Sequence, residues 1–256
     1  MTDVDVHRFT GRDRLDLTYR ETGDGRPLVL LHGFSGSYRQ WLEHGPAAAF
    51  AQQGHRVILP DFRGHGESAQ PRDPGSYPSD VLADDTLALI DHLGFADHAY
   101  DLGGYSLGGR IVVRMLARGA RPARAIVGGQ GLADVTRAAG SGANLRVLAA
   151  LAQGDRIAPG SPDAQIAYWF GQSGADPQAL LHVLDSLAAT PNDALSAIET
   201  PTLVAVGDQD HEHATGEALA AALPNGGFTD VPGNHWTALT GPEFAKAMSA
   251  FLAEPQ

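Results

Sequence analysis

The chain of 256 residues contains no cysteine, which excludes a disulfide framework, a thiol nucleophile and a thiolate metal site. Lysine is almost as scarce. Lys246 is the one lysine among 18 basic residues, so a Walker-type phosphate loop and most lysine-based covalent catalysis are excluded. Positive charge is short altogether: 18 Lys and Arg against 30 Asp and Glu leave a formal charge of −12, a field that repels a phosphate backbone. Nucleic acid is not an expected partner. No apolar run approaches the roughly eighteen residues of a membrane helix, and the first turns of the sequence carry charge throughout rather than a basic start and an apolar stretch. The expectation is a protein with no membrane span and no secretion signal, located in the cytoplasm. Long Gly/Ser or Pro-rich linkers and repeats of about twenty to fifty residues are also missing, which removes solenoids and arrays.

Hydrophobic residues at 43% and charged residues at 19% are enough to bury a core, and the length suits one α/β domain. Short apolar runs ending in Gly or Asp recur at 27–31, 56–60, 99–103, 124–128 and 202–206, with a further short run at 227–231. They read as buried parallel strands. Helical segments are expected between and after them at 38–53, 79–93, 107–118, 215–223 and 242–252. In the third of these, Ile111, Val112, Met115 and Leu116 share one helix face. Alternation at 5–9 and 15–21, around a turn at 11–13, reads as an antiparallel hairpin at a sheet edge. The strand–helix rhythm stops over 132–196, which is Ala-rich and helical, with Gly and Pro interruptions. An insertion there emerges at the carboxyl ends of the strands, where ligands bind in such sheets. It is expected to be a lid on a core formed by 1–131 and 197–256.

Gly104-Tyr105-Ser106-Leu107-Gly108 follows a strand and opens a helix, the context of a nucleophile elbow. The helix start presents free N–H groups to a developing anion. The bland alternative is a Gly-rich turn with a capping serine. A serine nucleophile needs a base, and the base needs a carboxylate to hold its tautomer. His235 follows the last strand on a turn-rich loop, and Asp208 and Asp210 follow the strand before it. The order Ser, Asp, His along one rim is the order of this constellation on α/β sheets. After the strand at 27–31, His32-Gly33-Phe34 supplies the remaining element. The expected oxyanion donors are the backbone N–H groups of Phe34 and Leu107, whereas His32 reads as a buried, loop-shaping histidine.

These motifs, together with Asp61-Phe62-Arg63-Gly64-His65-Gly66-Glu67-Ser68, Gly207–Asp210 and Gly233-Asn234-His235-Trp236, resemble the α/β-hydrolase family over essentially the whole chain. The resemblance implies an α/β fold: a mostly parallel, doubly wound sheet of about eight strands with a helical lid. It also implies Ser106 as nucleophile, His235 as base and Asp210 as acid, since the family's acid stands three residues after the glycine matched by Gly207; Asp208 is one place too early. Asp61–Ser68 corresponds to a structural loop, which excludes Arg63 and His65 from catalysis. A serine at the elbow speaks against haloalkane dehalogenases and epoxide hydrolases, which carry aspartate there.

The expected function is that of a serine hydrolase cleaving a small, uncharged carboxylic ester through an acyl-enzyme, with a small-molecule substrate, no cofactor and no metal. The same triad could serve C–C, lactone or peracid chemistry, and a non-catalytic small-molecule binder is the rival of another class. The expected substrate wall is Tyr105, Trp169, Phe170 and Trp236, with Tyr168-Trp169-Phe170 the densest aromatic cluster. The run His211-Glu212-His213 reads as a solvated face rather than a metal grip. Residues 137–146, with Gly140 and Gly142, read as a hinge rather than an anion site. Oligomeric state is not legible.

Overall fold

A computed structural model describes residues 4–138 and 142–254. The chain opens with β1 (Val6–Thr10), β2 (Asp16–Thr22) and β3 (Arg26–Leu31), followed by short helices α1 (Arg39–Leu42) and α2 (Ala47–Gln52) and by β4 (His55–Pro60). It continues through α3 (Val81–His92), β5 (Asp101–Tyr105), α4 (Leu107–Ala117) and β6 (Ala125–Gly128). Five helices then come in succession: α5 (Leu132–Val135), α6 (Ala143–Ala152), α7 (Pro162–Ser173), α8 (Pro177–Asp185) and α9 (Asn192–Ser196). The sheet resumes with β7 (Thr202–Gly207), α10 (Gly216–Ala221) and β8 (Gly226–Val231), and the chain ends in α11 (His235–Thr240) and α12 (Pro242–Leu252). Among the described residues no helix is long and apolar enough to cross a membrane.

One eight-stranded sheet runs in the order β1-β2-β4-β3-β5-β6-β7-β8. The expected hairpin forms its edge: β2 is antiparallel to β1 and to β4, and every later pairing is parallel. The inner strands read as continuous apolar runs because both faces are covered. In β3, Leu28 and Leu30 pack into one layer with Trp41, Phe50, Phe244 and Met248, while Val29 and Leu31 pack into the other with α3 and α4. The same alternation holds for β4, β6 and β7. Ile111, Val112, Met115 and Leu116 are buried as their spacing required.

Three expectations need correction. The helix expected over 38–53 is broken into α1 and α2. Pro46 disfavours helical backbone in the residue before it, and a Cβ on Gly45 would lie 2.9 Å from the Gln40 carbonyl oxygen. The strand expected at 99–103 lies two residues later, at Asp101–Tyr105, paired between β3 and β6. His235 does not sit on a loop: it opens α11, where the Asn234 side chain accepts from the N–H groups of Trp236 and Thr237.

The helices between β6 and β7 carry their own small core of Val147, Leu148, Phe170, Leu180 and Leu184. They are tied to α4 by Arg114, which bridges Asp80 and the Ala189 carbonyl, and by the largely buried Arg110, which donates to the Asp134, Arg137 and Ala188 carbonyls. Of the expected hinge, Gly140 lies outside the described residues; Arg137 pairs with Asp134 and Arg146 with Asp163.

Candidate active site

The strand order reverses between β3 and β5: from β3 the chain moves outward to β4, then returns to place β5 on the other flank. In open α/β sheets such a reversal is where the loops at the carboxyl ends of neighbouring strands part and ligands bind. Ser106 stands at that point, half-buried between β5 and α4. Its backbone has φ 56° and ψ −119°, a strained conformation for a residue with a side chain. Strain of this kind persists only where the surroundings impose it, and here they do. A Cβ on Gly104 would lie 2.3 Å from the Gly108 carbonyl carbon, and one on Gly108 would lie 2.1 Å from the Leu31 carbonyl oxygen. Both glycines are required for strand, helix and β3 to pass this closely. The Ser106 side chain makes no capping hydrogen bond, so the capping-serine alternative has no support.

Phe34 lies in the loop after β3, and Leu107 is the first residue of α4. Among the described residues, neither backbone N–H has an acceptor within the protein. The loop that carries Phe34 is rigid. His32, fully buried, donates from Nδ1 to the Gly33 carbonyl at 2.8 Å and accepts the Phe62 N–H on Nε2 at 3.0 Å. Burial pulls its pKa down to about 4, against the hydrogen bond to Gly33, so the ring is neutral, as a loop-shaping histidine should be.

The Asp61–Ser68 stretch is likewise architectural. Asp61 accepts the N–H groups of Tyr38 and Glu67, and burial pushes its carboxyl up to about 6 despite those bonds. The fully buried Arg63 pairs with Asp85 and Asp13 through both faces of its guanidinium. His65 is buried beside His32, which together with desolvation holds its pKa near 3.

Asp210 follows β7, and its side chain is 1% exposed. Its Oδ2 lies 2.6 Å from Nδ1 of His235. An ionised carboxylate only accepts, so that nitrogen carries the proton and Nε2 is left with its lone pair. Burial alone would raise the Asp210 carboxyl; the hydrogen bonds from His213 and His235 outweigh it and hold the group well below the usual carboxylate range. Asp208, two residues earlier, is exposed and accepts the Gly233 N–H at 2.8 Å. It ties the β7 loop to the β8 loop and does not reach His235. Tyr105, immediately before the serine, donates its hydroxyl to the His235 carbonyl at 2.7 Å, with the two rings 5.2 Å apart. This bond fixes His235 beside the elbow. Ser106 Oγ itself makes no hydrogen bond to His235 among the described residues; such a bond commonly closes only with substrate bound.

The expected substrate wall divides. Tyr105 is 3% exposed with its hydroxyl already engaged, so it supports His235 instead of lining open space. Phe170 is buried in the small core of the insertion and meets Phe34 edge-on at 5.9 Å. Trp169 and Trp236 are exposed at 55% and 67% and stack on each other at 6.0 Å, joining α7 to the residue after His235. Adjacent residues of α7 thus face different ways.

The reading of His211-Glu212-His213 as a solvated run holds for the first two residues only. His213 Nδ1 lies 2.9 Å from Asp210 Oδ1, its side chain is 15% exposed, and its ring stacks on His235 at 4.3 Å. The signal was the i, i+3 spacing from Asp210, which a 3-10 turn over His211–His213 folds onto one side. Asp210, His213 and His235 form the group of possible metal donors found among the described residues. Both Nδ1 atoms lie at hydrogen-bond distance from the carboxylate, one on each oxygen.

Comparison with known proteins places the fold. A family model described as alpha/beta hydrolase fold matches residues 26–131, from β3 through the elbow to β6. A non-heme haloperoxidase of Rhodococcus erythropolis is 30% identical over 78% of this chain and 81% of its own. A 2-hydroxymuconate semialdehyde hydrolase of Pseudomonas putida is 31% identical over 95% and 94% respectively. Several other curated relatives match over only part of their length, in one case 22%. Among solved structures, a thermophilic esterase from Thermogutta terrifontis superposes with a TM-score of 0.75 at 26% identity, covering 97% of this chain and 98% of that one. With its sheet order, its elbow at the switch point and relatives aligned nearly end to end, the chain belongs to the alpha/beta hydrolase fold family.

Proposed function

We propose that the protein is a serine hydrolase that cleaves small carboxylic esters through an acyl-enzyme. The observation that carries this reading is the 2.6 Å bond from His235 to a buried Asp210 on the rim where Ser106 stands on a strained elbow. In this reading Ser106 Oγ attacks the ester carbonyl while Nε2 of His235 takes its proton. The carbonyl oxygen becomes an oxyanion, held by the N–H groups of Phe34 and Leu107. Collapse breaks the C–O bond, and the departing alcohol receives the proton from His235. Water then attacks the acyl group, gives its proton to His235 and, as the second intermediate collapses, releases the acid while the proton returns to Ser106. Ester and water are converted to acid and alcohol, and the enzyme is restored. No cofactor enters these steps. Residues 132–196 act as the lid, with Trp169 and Trp236 at its mouth and Phe170 beneath, next to the oxyanion loop.

The near full-length likeness to a hydrolase named for 2-hydroxymuconate semialdehyde, which is not an ester, favours one second reading: the same triad acting on a C–C bond or a lactone. The two are separated by initial rates on acetyl to octanoyl esters, γ- and δ-lactones and vinylogous β-diketones. Short esters turned over at least about tenfold faster in kcat/KM than the other classes support the proposal. A diketone preferred by that margin replaces it with the second reading.

A further inference from the structure

We propose that His213 is a positioning residue of the catalytic site: a second histidine that clamps the free oxygen of the acid and stacks against the base. The inference rests on the reading of Asp210 and His235 as acid and base. A carboxylate held at one oxygen only can swing about its Cβ–Cγ bond and loosen its partner. Among the described residues, the Asp210 side chain receives hydrogen bonds from two donors, His235 on Oδ2 and His213 on Oδ1. No backbone N–H of the described residues donates to it. Removing His213 therefore leaves Oδ1 unpaired in a site that is 1% exposed, an arrangement that proteins avoid.

The His213 ring also forms one wall of the slot that holds the base. It lies 4.3 Å from the His235 ring at 21°, with Tyr105 tilted at 5.2 Å and Trp236 edge-on at 5.9 Å on other sides. The base is held by its Nδ1 bond and by three rings.

Electrostatics add a consequence. The charged and titratable groups facing His213 are Asp210 and His235 from the site, Asp134 from α5 and Glu212 from its own turn. Burial disfavours the cation, but the hydrogen bond to Asp210 and the three carboxylates outweigh it, so His213 holds its proton to higher pH than an ordinary histidine. A cation stacked on His235 adds a like-charge interaction across 4.3 Å, which a neutral residue at position 213 removes.

The test uses two variants of the full chain. His213→Phe keeps a flat ring but no donor; His213→Asn keeps a donor but no charge. For the Phe variant, kcat is expected to fall about tenfold with KM little changed, and the acid limb of kcat/KM to move to higher pH by about half a unit. In the Asn variant kcat should return to within about threefold of wild type while the limb stays displaced. A purely structural role would lower the melting temperature of both and leave the limb in place; a Phe variant with wild-type kcat and limb overturns the proposal. Should the Phe variant fail to fold, NMR titration of the unmodified protein decides. Two of the eleven histidines should show coupled, biphasic curves, and independent single-step titration of all of them overturns it. If Ser106→Ala still hydrolyses ester, the acid–base reading itself fails, whereas the coupled titration is untouched by that result.

Discussion

Asp208 and Asp210 stand two residues apart on one loop, and replacing each by Asn should have effects that differ in kind. Asp210 receives Nδ1–H bonds on both oxygens, at 2.6 and 2.9 Å. Asparagine offers one oxygen and one NH2, so at least one imidazole must either face a donor with a donor or switch tautomer. A switch in His235 moves its proton to Nε2 and removes the lone pair that accepts from serine. The expected loss is about 10⁴ in kcat, as for the corresponding change in other triads, or about 5.4 kcal/mol of transition-state stabilisation. Stability should change less: one charge-assisted bond lost in a buried site costs about 1.5–3 kcal/mol, partly offset by not burying a charge. Asp208 is exposed and holds a single N–H, from Gly233. Neutralising it should cost about 0.5–1 kcal/mol, a fall of roughly 1–4 °C in Tm for a chain of this size, with kcat within about threefold. Stopped assays of a short p-nitrophenyl ester and calorimetric melts give both numbers. A Asp208→Asn protein inactive by orders of magnitude with an unchanged melt, beside a near wild-type Asp210→Asn, would move the acid by two residues.

Other expectations follow from the same geometry. Gly104→Ala forces a Cβ against the Gly108 backbone at 2.3 Å; overpacking of this kind costs about 1–3 kcal/mol or more, so the variant should melt at least a few degrees lower and lose activity together with the elbow. Between pH 5 and 6, His32 and His65, held near 4 and 3 when folded, bind protons only on unfolding, while Asp61, held near 6, releases one. Two against one means that the unfolded state gains about one proton, so the stability read from urea unfolding should rise by about 1.4 kcal/mol per pH unit; a flat or falling trend contradicts these environments. If, as proposed, the exposed Trp169–Trp236 stack stands at the mouth of the site, Trp236→Ala and Trp169→Ala should raise KM several-fold with kcat little altered; steady-state kinetics on the preferred ester check this.

Much of this was legible because burial on both faces writes an inner strand as an uninterrupted apolar run, and because an elbow this tight admits only glycine on either side of Ser106. In a motif confined to one loop, Gly207–Asp210, the offset from the glycine was enough to tell which aspartate meets His235: Asp210 bonds it and Asp208 does not. What escaped depends on local caps or distant partners. The break after α1 was signalled by Pro46, and α11 by the Asn234 cap with Thr237 three residues on. His213 was hidden because its value lies in a contact with His235, 22 positions later in the sequence. Tyr105 and Phe170 looked like pocket walls because composition does not tell which side of a helix or strand end faces the crevice; the stack of Trp169 on Trp236 joins segments 67 positions apart.

Covalent trapping tests the central claim most directly. The purified protein is treated with a fluorophosphonate and with a slowly hydrolysed ester, and intact mass and peptide mapping are read alongside a Ser106→Ala control. The account predicts one adduct per chain, on Ser106, with loss of ester turnover in proportion to labelling, and neither adduct nor turnover above about a ten-thousandth of wild type in the folded control. Full activity in the Ser106→Ala protein, or an adduct that maps to another residue, would contradict it.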